Sequence, residues 1–277
     1  MISVLILTKN ESLNIADCIQ SCSWSDDIVV FDSFSTDQTV AIAQSLNARV
    51  VQHPFKNYGA QREAARKIQY NNRWVLAIDA DERPEPELVD ELQRIALKEK
   101  PEFVAYRLRR KDYFMGKWIK YSTLYPSWFV RFYQPDKVHY EPRSVHEYPE
   151  VHGEMGALNG HLLHYSFSKG IDEWFVKHCK YAALEASENV RSLSSSKRIL
   201  RLSDAFSFDP VKRRRTLKAI SIYAPVRPLL RFLYSFIFRL GFLDGIAGYR
   251  YAKMLAIYES MIVLNVQDQL SQFKQRL

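Results

Sequence analysis

The 277 residues are 47% hydrophobic and 25% charged, a balance that excludes a disordered chain and permits one large domain or a domain with an appendage. Lys and Arg number 39 against 31 Asp and Glu, a formal charge of +8, which suits nucleic acid, anionic lipid or phosphorylated substrates without choosing among them. Cys18 and Cys22 have no second Cys or His pair to complete a zinc site, and with Cys179 they read as free thiols of a reducing compartment.

The opening MISVLILTKN reads as a strand rather than a leader peptide, and no apolar run reaches the ~20 residues of a spanning helix, so a cytoplasmic protein is expected. Residues 2–7 form the first apolar run, and TKNES supplies a turn before helical spacing over 13–22. DIVVFD at 27–32 is a second strand, and Ser35-Thr36-Asp37 starts a helix over 40–46. Residues 49–52 make a third strand and 58–70 a helix rich in Ala, Gln and Arg. WVLAI at 74–78 is a fourth strand that ends at Asp79, and 84–97 opens with Pro and acids as a first helical turn prefers. This alternation of continuous apolar strands with helices predicts a parallel sheet covered on both faces. Ligands of such sheets bind beyond the carboxyl ends of the strands. Thr8, Asn10 and Glu11, the segment 32–37 and the segment 79–82 are therefore expected to converge on one crevice.

Aromatic-rich short segments over 104–164 indicate mixed or antiparallel strands, and 171–194 reads as a helix. After a Ser-rich link at 192–196, residues 197–253 hold thirteen Lys or Arg against three Asp, an appended helical region.

Two acids at a strand end, Asp79 and Asp81 in WVLAIDADERP, are the residues that would hold a hard divalent cation, Mg²⁺ or Mn²⁺, against a diphosphate. The alternative is an acid cluster at a helix N-terminus, since Glu82 and Glu85 precede the next helix. Asp32 ends the second strand, where a carboxylate accepts from a base imide or a ribose hydroxyl; Asp37 reads as a helix-start residue. The loop TKNE lacks glycine, against a Gly-rich phosphate cradle or a dinucleotide fingerprint.

LTKNE after the first strand, VVFDSFSTDQT, YGAQR at 58–62 and LAIDADE together resemble family 2 glycosyltransferases of the GT-A fold, most closely the lipopolysaccharide-core β-1,4-glucosyltransferase branch. The likeness covers residues 1 to about 165. Phe34 and Gln38 depart from it, standing where glycines are common. The resemblance implies an α/β GT-A domain over 1–195, with a nucleotide-binding half at 1–100 and an acceptor-side half at 101–195, followed by a basic helical extension at 196–277. It implies that Asp32 contacts uracil or ribose, that Asp81 binds the metal with Asp79 helping, and that Gln61 and Arg62 face the nucleotide. Arg62 reads equally as a helix residue in a salt bridge.

An inverting transfer needs a base on the acceptor face. Glu147 in SVHEYPE is assigned that role by resemblance, with Glu141, Glu150 and Glu154 nearby and His146 either orienting the base or packing. His164 in HLLHYS is a candidate third metal ligand or a structural strand-end histidine. Trp118, Tyr121, Tyr125 and Trp128 are candidates for stacking on sugars.

Arg213, Arg214 and Arg215 follow Lys212, and alternating apolar and basic residues continue to Arg239. On a regular helix Leu229, Leu233, Phe236 and Leu240 share a face, with Phe232 among the neighbouring aromatics and Arg227, Arg231 and Arg239 opposite. Such a helix either lies in an anionic membrane interface or packs on the catalytic domain. No zinc knuckle, helix-turn-helix or RNA-binding sheet accompanies the charge, which argues against nucleic acid. The expected protein is a hexosyltransferase at the inner face of the cytoplasmic membrane, taking a hexose, glucose by family, from a UDP-sugar to a lipid-linked glycan such as lipopolysaccharide core. Alternatives are a transferase for another surface polysaccharide, a sugar nucleotidyltransferase, and a non-catalytic glycan- or membrane-binding protein.

Overall fold

The computed structural model describes residues 1–140, 149–195 and 226–275. It divides into two units: Met1–Tyr113 with Leu124–Ser168, and Phe114–Thr123 with Lys169–Leu277. The division falls before the helix at 171, where the sequence reading places it at 195.

The first unit opens with β1 (Ile2–Thr8), α1 (Ile15–Ser21), β2 (Asp27–Asp32), α2 (Thr39–Ser45), β3 (Arg49–Gln52), α3 (Tyr58–Arg66) and β4 (Trp74–Asp79). Then come β5 (Glu82–Pro84), α4 (Pro86–Ala96) and β6 (Ala105–Phe114). Lys117–Trp118, in the second unit, is β7; the first unit resumes with β8 (Trp128–Tyr133), β9 (Val138–Tyr140), β10 (Pro149–Val151) and β11 (Met155–His164). The main sheet runs β3-β2-β1-β4-β8-β6-β11-β5. Its first four strands are parallel, as the alternation predicts, and β8 enters antiparallel between β4 and β6.

Alternate residues of the central strands serve two cores. Val4, Ile6, Leu76 and Ile78 pack with Ile15, Cys18 and Ile19 of α1, whereas Leu5, Val75 and Ala77 pack with Ala65 of α3. Both faces being covered, β1 and β4 carry no polar alternation, which is why they read as continuous apolar runs. Cys18 and Cys22 are buried in this packing and Cys179 is exposed.

Register sets the site. Thr8 lies opposite Asp32, and Leu7 opposite Asp79, so the ends of β1, β2 and β4 are level. On the far side of the sheet His164 pairs with Glu82 of β5 and with Asp112 of β6.

In the second unit α5 (Ile171–Ser195) packs along α7 (Gly245–Gln275) through Ala182, Ala186, Ile262 and Val266, the alanines permitting close approach. α6 (Arg227–Leu233) runs into a π-helical segment at Tyr234–Phe238 and a 3₁₀ turn at Gly241–Asp244 before α7 begins. A Cβ on Gly248 would lie 2.1 Å from the Gly241 carbonyl oxygen, so this corner closes only with glycine.

Candidate active site

The loops after β1 and β2 latch together. Asp32, wholly buried, accepts from the Thr8 hydroxyl at 3.1 Å, the Ser35 amide at 2.9 Å, the Gln52 side chain at 3.0 Å and the Ser35 hydroxyl. Burial pushes its pKa up, but these donors prevail and hold it below the usual carboxylate range. The Asn10 amide donates to Ser35 Oγ at 2.8 Å and its side-chain oxygen accepts from the Thr36 amide at 2.8 Å. The Glu11 amide donates to Thr39 Oγ1 at 2.8 Å, and its carboxylate accepts from Asn14 at 2.7 Å. Asp37 accepts from the Thr39 amide at 3.0 Å and the Ser12 amide at 3.1 Å, at the start of α2. Gln61 is buried and donates to Ser33 Oγ at 3.0 Å. Thr8, Asn10, Glu11, Asp32 and Gln61 thus come together at the predicted strand ends, but their side chains fix the loops to one another. Asp32 in particular is enclosed by protein donors rather than open to a base.

Phe34, where glycine is common, adopts φ +55° and is 53% exposed. Lys9 lies 5.9 Å from the centre of the Phe55 ring, and Phe55 meets Tyr58 edge to face. Exposed aromatics therefore accompany the loops after β2 and β3.

Asp79 is paired to two arginines. One of its oxygens accepts from Arg62 at 3.0 Å and the other from Arg131 of β8 at 2.7 Å. Burial raises its pKa, and the two guanidiniums more than reverse this, leaving it ionised far below the usual range. Beneath it Glu82, wholly buried, accepts from the Asp79 amide at 3.0 Å and lies 3.4 Å from Arg131 and 3.5 Å from Arg110. Each Asp79 oxygen thus accepts from one arginine and keeps a further lone pair, so Asp79 clamps Arg62 and Arg131.

Asp81 and His164 form the other half. His164 Nε2 is 3.2 Å from Asp81 Oδ2, and Nδ1 is 2.6 Å from Asp112 Oδ1. Two cis ligands of an ion with bonds of about 2.1 Å lie about 3 Å apart, so Asp81 and His164 Nε2 already stand at the spacing of a shared cation. An imidazole whose second nitrogen is anchored on a carboxylate is the usual second layer of a metal-ligating histidine. Asp81 and His164 are thus two donors of the kind a divalent ion takes, at a spacing that also suits a direct hydrogen bond. Among the described residues no group of three or more His, Cys, Asp or Glu could hold a metal ion by itself, so a diphosphate would have to supply the remaining positions. Without an ion a proton does the bridging: burial and Arg110 lower the His164 pKa, but Asp112 and Asp81 overcome them and raise it to about 9.

Sequence reasoning misses Arg131, Arg110 and Asp112. A lone Arg in the apolar strand WFVRFY is the available signal for Arg131. Glu147, with Glu141 and His146, lies outside the described residues, and Glu150 and Glu154 are exposed. Trp128 is flanked by the guanidiniums of Arg107 at 4.9 Å and Arg109 at 5.3 Å, and Tyr125 bonds His161 at 3.0 Å.

In the basic C-terminal segment several of the described side chains are engaged by protein. Arg213, Arg214 and Arg215 lie outside the described residues. Arg227 forms an ion pair with Glu259 at 2.6 Å, Arg239 donates to the Thr123 carbonyl at 2.7 Å, and Phe232 and Phe236 stack on each other and meet Tyr249 edge to face. These arginines and phenylalanines face protein, while Leu229, Leu230 and Ile237 are exposed.

Residues 3–152 match the model of the family described as glycosyl transferase family 2. An uncharacterized glycosyltransferase of Rickettsia conorii is 32% identical over 201 residues, covering 69% of this chain and 71% of the relative. The lipopolysaccharide core biosynthesis glycosyltransferase LpsC of Rhizobium meliloti is 32% identical over 198 residues, covering 69% of this chain and 72% of the relative. Among solved structures, S. aureus TarS (residues 1–349) matches over all of this chain and 92% of its own, at 17% identity and TM-score 0.46. Glucosyl-3-phosphoglycerate synthase of Mycobacterium tuberculosis, crystallised with Mn²⁺, UDP and glucosyl-3-phosphoglycerate, matches over 41% of this chain and 44% of its own, at 26% identity and TM-score 0.33.

Proposed function

The chain belongs to glycosyl transferase family 2, with a GT-A fold and a C-terminal helical extension, and from that premise we propose an inverting, metal-dependent hexosyltransferase that uses a UDP-sugar, glucose by the likeness to its branch. The acceptor is a membrane-anchored glycan, and lipopolysaccharide core is the choice that the name of LpsC supports. The enzyme works at the inner face of the cytoplasmic membrane; no described helix is long and apolar enough to cross it.

The observation that carries the reading is the divided acid pair of the DADE loop. Asp79 positions the guanidiniums of Arg62 and Arg131, which are suited to phosphate oxygens. Asp81 and His164 would supply two donors for Mg²⁺ or Mn²⁺, and Asp112 holds the Nδ1 edge of the imidazole, leaving Nε2 on the Asp81 side. The ion, when bound, offsets charge on the departing diphosphate. Thr8, Asn10, Glu11, Asp32 and Gln61 hold the loops against which the nucleoside rests. Glu147 takes the proton of the acceptor hydroxyl as it attacks the anomeric carbon, a role resting on resemblance alone.

Calorimetric titration of a panel of nucleotide sugars, with Mn²⁺ or Mg²⁺ and then with EDTA, tests the reading. Metal-dependent binding of one UDP-sugar is the expected result. Absence of binding by the folded protein would overturn it. Glu147→Gln is expected to keep donor affinity and lose roughly 10² to 10⁴ in transfer rate.

A further inference from the structure

Between positions 230 and 246 the second unit exposes Leu230, Ile237, Phe238, Phe242, Leu243 and Ile246, with Phe238 at 77% and Ile246 at 71%. Soluble monomers seldom leave so many large apolar side chains open within one short stretch. Two of the three charges in the stretch, Asp244 and Arg239, are engaged by protein. Asp244 is buried and accepts from the amides of Lys120, Tyr121 and Ser122 at 3.1, 2.9 and 2.7 Å and from the Ser122 hydroxyl at 2.8 Å. Arg239 donates to the Thr123 carbonyl, and Arg231 lies within the field of Glu259, the carboxylate already bonded to Arg227. The α, π and 3₁₀ turns of this stretch are interrupted at Arg239–Leu240, where Leu240 takes φ +61°, and Gly241 and Gly248 close the corner beyond it. The surface offered outward is therefore aliphatic and aromatic, with Tyr234 and Tyr249 half open beside it.

We propose that the corner formed by residues 230–246 is a monotopic membrane wedge that buries Ile237, Phe238, Phe242 and Ile246 in the outer hydrocarbon of an anionic bilayer. This refines, and rests on, the membrane-associated part of the function proposed above. It moves the apolar contact of the amphipathic helix read from the sequence to the corner that follows it, helped by surrounding charge.

Charge selects a bilayer over a second copy of the chain. The second unit holds 21 Lys and Arg against 9 Asp and Glu, whereas the first holds 18 against 22. Over its described residues alone the second unit still holds 12 Lys and Arg against 7 Asp and Glu, so a second copy would meet like charge while an anionic leaflet attracts it. Tyrosines at the edge of an apolar patch suit the headgroup level.

The test is flotation of the full-length protein with vesicles of phosphatidylcholine and phosphatidylglycerol, at 0.15 M and 1 M salt in separate runs. Wild type is expected to stay bound in 1 M salt, because apolar insertion is not screened. Phe238→Asp with Ile246→Asp is expected to lower partitioning by at least about tenfold, and Leu264→Asp, an exposed apolar position elsewhere on α7, to leave it unchanged. Thermal melts and UDP-sugar binding of each variant are measured in parallel, and both are expected to match wild type. Loss of all binding in 1 M salt, or undiminished flotation of the double variant, would overturn the wedge. So would a concentration-dependent dimer, in sedimentation equilibrium, that the double variant abolishes. Salt-resistant flotation without nucleotide-sugar binding would sink the transferase reading and leave the wedge standing.

Discussion

Asp112 holds the Nδ1 edge of His164 at 2.6 Å, from the directly paired position on the neighbouring parallel strand. That contact leaves Nε2 turned to Asp81. Removing an outer-shell partner of this kind typically costs 10- to 100-fold in metal affinity. Asp112→Asn, nearly isosteric, is expected to weaken Mn²⁺ binding by about that factor while keeping the wild-type melting profile. Calorimetry with Mn²⁺ alone measures it directly. Unaltered affinity would mean that His164 is not a ligand or is held by something else.

The same geometry sets a pH dependence. His164 is protonated up to about pH 9 in the metal-free protein, because its two carboxylate partners outweigh burial and Arg110. Its pKa is raised on folding, so its contribution to stability is complete below about pH 6.5 and disappears as pH rises through 9. A metal must displace that proton. Mn²⁺ affinity is then expected to rise by up to about tenfold per pH unit between 7 and 8.5 and to level off above 9. Heats measured in buffers of different ionisation enthalpy count the protons released, and a count of zero near pH 7.5 would contradict the assignment.

The parallel half is legible in the sequence because β1, β2 and β4 are covered on both faces and so lack polar alternation, and because Asp79 and Asp81 sit where a strand must end. The partners of those acids are hidden for the opposite reason. Arg131 reaches Asp79 only because β8 inserts antiparallel beside β4, and Asp112 reaches His164 only through the β6–β11 register. Such pairings are decided by long-range packing rather than local pattern. The C-terminal face is hidden for a local cause. A regular helix drawn from 227 to 239 puts the arginines outside, but Arg227 meets Glu259 of α7, and the π-helical turn at Tyr234–Phe238 adds a residue to the turn and rotates Arg239 beyond it.

Arg131 supports a stability prediction. Its side chain is 6% exposed and serves both Asp79 and the wholly buried Glu82. Removing one member of a buried ion pair leaves the others uncompensated, at a cost of about 3 to 5 kcal/mol. Arg131→Ala is expected to lower stability by that amount, read from the midpoint of urea unfolding at unchanged slope. A loss below about 1 kcal/mol would show that Arg62 and Arg110 alone can neutralise the two acids.

Phe34 presents the converse case, a residue whose backbone is worse off than it need be. At φ +55° a side chain with a Cβ is strained by roughly 1 to 2 kcal/mol, and glycine would relieve this at an entropic cost of about 0.5 to 1 kcal/mol. Phe34→Gly is therefore expected to raise stability by up to about 1 kcal/mol, since the ring is 53% exposed and gives up little packing. Strain kept at a loop tip beside a binding crevice points to use of the side chain there. If the ring contacts the donor, the stabilised variant should bind UDP-sugar several-fold more weakly in the same calorimetric cell. Higher stability with unchanged affinity would leave Phe34 as a strained residue without a part in donor binding, and would return recognition to the latched loops beneath it.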